Sequence, residues 1–296
     1  MDVVTAQPTG QRPAVRQTVT LWRSLVAVVV VCALVLVALV TVLVYTRTGA
    51  RYDHRMEWAL GGPPWLFYNI ESRLQQVSVL RVGIAGVLLA LVALGRRRVG
   101  LAAGALVLIG GATVTTQVLK NEFIYRLPGA IVDDNLPSMP SGHATVGVSI
   151  SLALLIVLPA SWQRSSLPVC TAVGYFFGVG TVIGHWHRPG DVLAALAVCL
   201  GWTAVAFAVV AALGGTRRDR SISDSASARM QRSLAQTLRS ATAGVAFVSL
   251  LLLAWGAQTA PNWRAAILGF AAVIAVAVGT LVVYVWVART ADRFLR

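Results

Sequence analysis

The amino-acid sequence predicts an all-α, polytopic membrane protein: a six-helix core followed by two further C-terminal transmembrane helices, about eight spans in all. Three observations carry this expectation. Hydrophobic residues make up 57% of the 296 residues and charged residues only 12%, against about 25% charged in soluble domains, and mean hydropathy is +0.73. Apolar runs recur near 24–46, 76–94, 99–118, 144–160, 167–185, 191–213, 241–258 and 265–287. Each approaches or exceeds the ~20 residues a helix needs to cross a bilayer, where every backbone N–H and C=O must be satisfied within the segment. None alternates with the two-residue period of a barrel strand, and Leu, Val and Ala dominate throughout.

Residues 1–23, rich in Gln, Pro, Thr and Arg, read as a disordered cytoplasmic tail. The run at 24–46 is too long for a secretory h-region of about 7–15 residues and has no small-residue cleavage site after it, so it reads as an uncleaved signal anchor. The segment 47–75 carries WALGGPPWLFYNI, whose aromatic rings suit an interfacial stretch lying on the membrane. Residues 24–213 form the six-span core, 214–240 a polar, basic cytoplasmic linker, and 241–296 the two-span C-terminal extension. No tandem repeat is visible.

The formal net charge of +14 would suit a nucleic-acid partner, but its distribution argues against one. With a cytoplasmic N-terminus, sixteen of the 25 basic residues fall inside, clustered in the tail, at 96–98, in the linker and at the C-terminus. The positive-inside rule selects this orientation, leaving the excess charge as a topology signal and an anionic-lipid contact. Both termini are then cytoplasmic. Cys32, Cys170 and Cys199 lie inside apolar runs with no paired spacing, which points to packing rather than to a disulfide or zinc site.

This orientation places three polar groups on the outer face: Lys120 and Arg126 after the third span, PSGH at 140–143 before the fourth, and His185, His187 and Asp191 between the fifth and sixth. Ionisable groups at membrane depth are costly, so several gathered on one face suggest a site. Lys120 is the sole lysine of the chain. In order and intervening spans, KNEFIYRLP, PSGH and HRPGDVLAA resemble the three signature motifs of the type 2 phosphatidic acid phosphatase and haloperoxidase superfamily, in its membrane lipid phosphatase branch. The resemblance covers about residues 80–213 in architecture and 120–191 in motifs. Two departures stand out. Five residues separate Lys120 from Arg126 where six are usual, and the Ser-Arg pair that precedes the last histidine in that family falls on Gly180 and Thr181. Arg188, beside His187, is a candidate to compensate for that missing arginine.

Each motif has a chemical and a structural reading. Lys120 and Arg126 can neutralise a phosphate, one as a compact charge and the other as a bidentate fork; as an isolated pair they would be snorkelling interfacial anchors. Ser141 is a good N-cap, Gly142 lets a ligand approach the backbone, and the open N–H groups of the following helix form an anion site. His143, in the first turn, is placed to protonate a leaving alkoxide, or is simply an interfacial histidine. Asp191 can orient the His187 imidazole, cap its helix, or do both. The resemblance implies that His187 is the nucleophile of a phosphohistidine intermediate. His185-x-His187 with Asp191 could also face a metal, but no further ligands cluster there and Lys120 and Arg126 would repel a cation. Asp133 and Asp134 read as a solvated turn.

The expectation is therefore a metal-independent integral membrane phosphatase with no cofactor, acting at the outer leaflet of the cell membrane. Its partners would be the bilayer and a lipid phosphate: phosphatidate, phosphatidylglycerophosphate, or a polyprenyl phosphate or diphosphate. A lipid phosphotransferase on the same fold, and a catalytically silent lipid-binding or transport relative, are the alternatives.

Overall fold

The computed structural model describes residues 12–59, 64–76, 78–125, 139–214 and 224–294. Among them all regular structure is helical, with no strand. In order the helices are α1 (Arg12–Leu43), α2 (Arg47–Trp58), α3 (Pro64–Leu74), α4 (Val79–Gly95), α5 (Val99–Val118), α6 (Gly142–Val157), α7 (Ala160–Ile183), α8 (Pro189–Ala212), α9 (Asp224–Thr259) and α10 (Trp263–Phe294). A π-helical turn, Leu119–Phe123, extends α5.

Local chemistry sets most helix starts. Thr46, Ser78, Ser141 and Asn262 each accept a backbone N–H from three residues onward, capping α2, α4, α6 and α10. Pro64 and Pro189 stand at first helical positions, where a missing N–H costs nothing. Two expected boundaries move. Residues 12–23 are helical rather than part of a tail, because Pro13 in a first turn does not interrupt a helix and propagation from a formed span adds one bond per residue. Likewise residues 224–240 of the 214–240 linker are helical. From Asp224 onward the Ala, Arg, Gln and Leu content sustains α9, and the interfacial stretch 47–75 resolves into α2 and α3.

Among the described residues six helices are long and apolar enough to cross a membrane, in α1, α5, α7, α8, α9 and α10; α4 and α6 carry shorter apolar helices, Leu80–Gly95 and Gly142–Val157. The eight apolar runs are thus all helical, and the protein is a multi-pass membrane protein. Burial sorts the spans. In α7 61% of the apolar window is buried, whereas in α1 only 11% is, with Val26, Val30, Leu34 and Val37 exposed. Such an apolar exterior is suited to lipid.

Helix α8 is the hub, packing against α1, α5, α6 and α10, while α6 also meets α5 and α7. Without a hydrophobic driving force between spans, small residues and hydroxyls supply the contact. A Cβ at Gly104 would stand 3.2 Å from the Ala206 carbonyl oxygen, marking close approach of α5 and α8. Thr116 and Thr145 hydroxyls pair at 3.0 Å between α5 and α6, and Trp202 Nε1 donates to Thr115 Oγ1 at 2.9 Å between α8 and α5.

The C-terminal extension is fastened by the same means. Helix α10 packs on α2, α6, α7, α8 and α9. Tyr175 and Ser249 hydroxyls pair at 2.8 Å, Ser151 pairs with Tyr284, and Arg164 Nη2 lies 3.4 Å from Asp292 Oδ1. Gly174 faces the fully buried Tyr284, whose rigid ring occupies the space a Cβ would need. Gly174→Ala is therefore expected to push α10 off α7, at a cost of about 1–3 kcal/mol. The measurement is the apparent melting temperature of detergent-solubilised protein, which should fall; an unchanged value refutes the contact.

Candidate active site

The polar groups singled out in the sequence gather at one end of the bundle, and a small apolar cluster explains why. Val44, Ile124, Met139 and Ala194 are buried together, with Leu36, Leu39, Val40, Leu43 and Leu119 packed around them. Ile124 follows the Lys120 turn and Met139 precedes Ser141, so both flanks of the segment 126–138 are pinned to α1 and α8. Tyr45 reinforces this by donating to the Phe123 carbonyl at 3.3 Å. Lys120 sits half-buried in the π-helical turn, which closes through Ile124 N–H to the Leu119 carbonyl at 2.9 Å. Arg126, Asp133 and Asp134 lie outside the described residues.

Ser141 is fully buried and caps α6, accepting the Ala144 N–H at 3.3 Å. Its own N–H donates to the Asp191 carbonyl at 2.9 Å, which joins the PSGH segment directly to the start of α8. Among the described residues only Gln117 Nε2 lies within 4 Å of the place a Cβ would occupy at Gly142, at 3.5 Å. The flank of the α6 N-terminus is therefore open to a ligand, with the Gln117 amide beside it.

The turn from α7 to α8 carries the other histidine. The Thr181 carbonyl accepts the N–H groups of Trp186 and His187 at 3.0 and 3.1 Å, and His185 adopts a left-handed φ of 54° to let the chain reverse. Asp191, at the third position of α8, caps backward: its Oδ2 accepts the Arg188 N–H at 3.1 Å and lies 3.3 Å from His187 Nδ1. Capping and imidazole orientation are thus served by one oxygen. Orienting Nδ1 toward a carboxylate leaves Nε2 as the nitrogen with a free lone pair.

The ring of His143 lies 6.4 Å from that of His187 and 5.0 Å from that of Trp186, centroid to centroid. One phosphoryl group could touch both imidazoles. His143 stands at the mouth, ahead of the apolar run 144–160. Burial first, then the neighbouring His187 and Lys120, push its imidazole down to about 4. A bound phosphate dianion would reverse that balance, since an adjacent negative charge favours the protonated ring.

Arg188, the candidate to compensate for the missing arginine, is engaged from the side of α2. It is 1% exposed, with Nε 3.6 Å from Glu57 Oε2, so its guanidinium faces a carboxylate of α2. That helix supplies the site residues that the motifs do not disclose. Asp53 and Glu57 are buried, Asp53 Oδ1 accepts the Gly190 N–H at 2.8 Å, and the Trp58 ring stacks on His185 at 4.5 Å and 10°. The His185 imidazole is lowered from its usual value by burial, opposed by a hydrogen bond to the Glu57 backbone. One signal in the sequence points to them: Ala50, Asp53 and Glu57 fall on one helical face. At Gly180 and Thr181, where the related motif has Ser-Arg, Thr181 is fully buried and its hydroxyl donates to the Gly178 carbonyl at 2.8 Å.

Comparison with known families gives one match: residues 101–214 fit the model described as PAP2 superfamily, from α5 through the end of α8. No curated protein and no solved structure matches the chain significantly.

Proposed function

Residues 101–214 belong to the PAP2 superfamily, and we propose that the protein is an integral membrane phosphatase that hydrolyses a lipid phosphate or diphosphate through a phosphohistidine. The observation that carries this reading is the trio at the mouth of α6 and α8: His187 held by Asp191 at 3.3 Å, with the His143 ring 6.4 Å away. Lys120 stands near enough to His143 to oppose its protonation. A phosphate monoester carries nearly two negative charges at neutral pH, and Lys120 with the open N–H groups of α6 would hold it.

In the first step His187 Nε2 attacks phosphorus and the P–O bond to the leaving alcohol breaks. The departing oxygen takes the proton of His143. Water then attacks the phosphohistidine, giving its proton to the now neutral His143, and the P–N bond breaks to release inorganic phosphate. Asp191 stabilises the charge that develops on the His187 ring in each step. Ser141 acts through the α6 cap and Arg188 through Glu57 rather than on phosphate. Arg126 completes the cationic side in this proposal. A site at the end of a helical bundle suits a substrate whose tail remains in lipid, and the positive-inside distribution favours the outer leaflet for that end, with both termini cytoplasmic.

The fully buried Thr181, in place of an arginine, favours a second reading: a lipid-binding relative without turnover. Phosphate release by purified protein from phosphatidate, phosphatidylglycerophosphate, and polyprenyl phosphate and diphosphate decides between them. The expected outcome is release from at least one substrate, unchanged by EDTA and inhibited by vanadate, which mimics pentacoordinate phosphorus. No release from any of them supports the silent relative, and loss of activity on chelation refutes the metal-free mechanism.

A further inference from the structure

Helix α2 lies outside all three motifs, yet it grips the turn that carries His187. Asp53 and Glu57 are 3% and 6% exposed, and carboxylates are rarely so buried unless paired. One helical turn apart, they reach two points of the turn, the Gly190 backbone and the Arg188 side chain. Asp53 Oδ1 takes the Gly190 N–H, one of the first-turn donors of α8 that has no intrahelical partner. Glu57 Oε2 faces the Arg188 guanidinium at 3.6 Å. Trp58 adds a stacked ring on His185, and the Glu57 backbone takes the His185 ring N–H. The turn residues left to the chemistry are His187 and Asp191.

The fit at Gly190 is close. A Cβ there would come within 2.5 Å of Leu43 Cδ1 and 2.7 Å of Asp53 Oδ2, so a larger residue would have to displace the carboxylate or the leucine. Helix α10 backs α2 from another side, and α2 also contacts α1 and α8. Apolar side chains would fill this space at no desolvation cost, whereas two buried carboxylates are expensive unless their directionality is used. What directionality sets here is the path of residues 185–190, and therefore the angle at which the His187 ring meets Asp191.

We infer that Asp53 and Glu57 are positioning residues of the active site, holding the 185–190 turn so that His187 is aimed at phosphorus. The inference rests on the proposed phosphatase reading, and it makes α2 a working part of the site. A misplacement of about 1 Å in a reacting group can cost about 100-fold in rate, so losing either grip should appear in kcat.

The experiment measures kcat and KM for phosphate release by the full-length protein on the best substrate of the panel. It compares wild type with Asp53→Ala, Asp53→Asn, Glu57→Ala, Arg188→Ala and the Glu57→Ala/Arg188→Ala double variant. Asp53→Ala should lower kcat by about 10–100-fold with KM within about threefold. Asp53→Asn, which keeps an acceptor oxygen for the Gly190 N–H, should recover most of that loss. The double variant should lose no more than the worse of its two parents, as expected of groups acting as one unit. Unchanged kcat in Asp53→Ala, a rise in KM alone, or independent losses that multiply in the double variant would each overturn the inference. If Asp53→Ala elutes aggregated, Asp53→Asn and the Glu57/Arg188 comparison decide the matter by the same criteria. An inactive wild type would instead refute the phosphatase reading and this inference with it; an active wild type with unaffected variants refutes the inference alone.

Discussion

His187→Ala should lower the rate of phosphate release by about 10⁴-fold or more, equivalent to about 5.5 kcal/mol of transition-state stabilisation. The ring is 6% exposed and fixed by Asp191 at 3.3 Å, so its removal deletes the proposed nucleophile without disturbing the α8 cap, which runs through the Arg188 N–H. Lys120 and the open α6 amides remain, and they should still bind vanadate, so the loss belongs in kcat rather than in affinity. Two measurements check this: steady-state phosphate release, and acid-labile phosphate trapped on the protein after rapid quenching, which should vanish in the variant. Equal rates in the two proteins would end the enzyme reading. Trapped phosphate persisting in the variant would move the nucleophile elsewhere.

Asp191→Asn is expected to cost about 10²–10⁴-fold in kcat while leaving the fold in place. Asparagine keeps an oxygen that can accept the Arg188 N–H now taken by Asp191 Oδ2 at 3.1 Å. The same oxygen faces His187 Nδ1, so the ring orientation is kept as well, but a neutral amide cannot stabilise the positive charge that the proposed attack would build on the imidazole. Asp191→Ala loses the cap as well and should also melt earlier, by the order of 1 kcal/mol. The comparison separates the carboxylate charge from capping: a large kcat loss in Asp191→Asn at an unchanged melting temperature supports a role for the charge, and full activity in that variant refutes it.

Much of this arrangement is legible from residue order, because span length and apolar composition are local properties. The eight apolar runs are helices in the structure, although the two that form α4 and α6 fall short of a full crossing. The pairing of His187 with Asp191 is legible too: a carboxylate four residues after a histidine, across a Pro-Gly turn, has few other places to go. The linker boundary is not, because polarity does not distinguish a loop from a solvated helix, and Ala, Gln, Arg and Leu propagate a helix whether or not it is apolar. Asp53 and Glu57 escape sequence reasoning for a different reason. Within RTGARYDHRMEW the neighbouring arginines suggest a solvated, self-compensating segment, and the shared face of Ala50, Asp53 and Glu57 does not by itself say whether that face turns inward or to solvent. The Glu57 carboxylate beside Arg188 is likewise not disclosed by proximity in sequence to His187.

The fastening of α10 to both α2 and the central helices has a bearing on how such a chain can be dismantled. A fragment ending near residue 213 would retain every signature motif, yet Ser151 would face bare lipid where Tyr284 had been, and α2 would lose one of the walls it leans on. The last two helices are thus less an appendage than a keystone set from behind, and the minimal catalytic unit is larger than the motifs that advertise it.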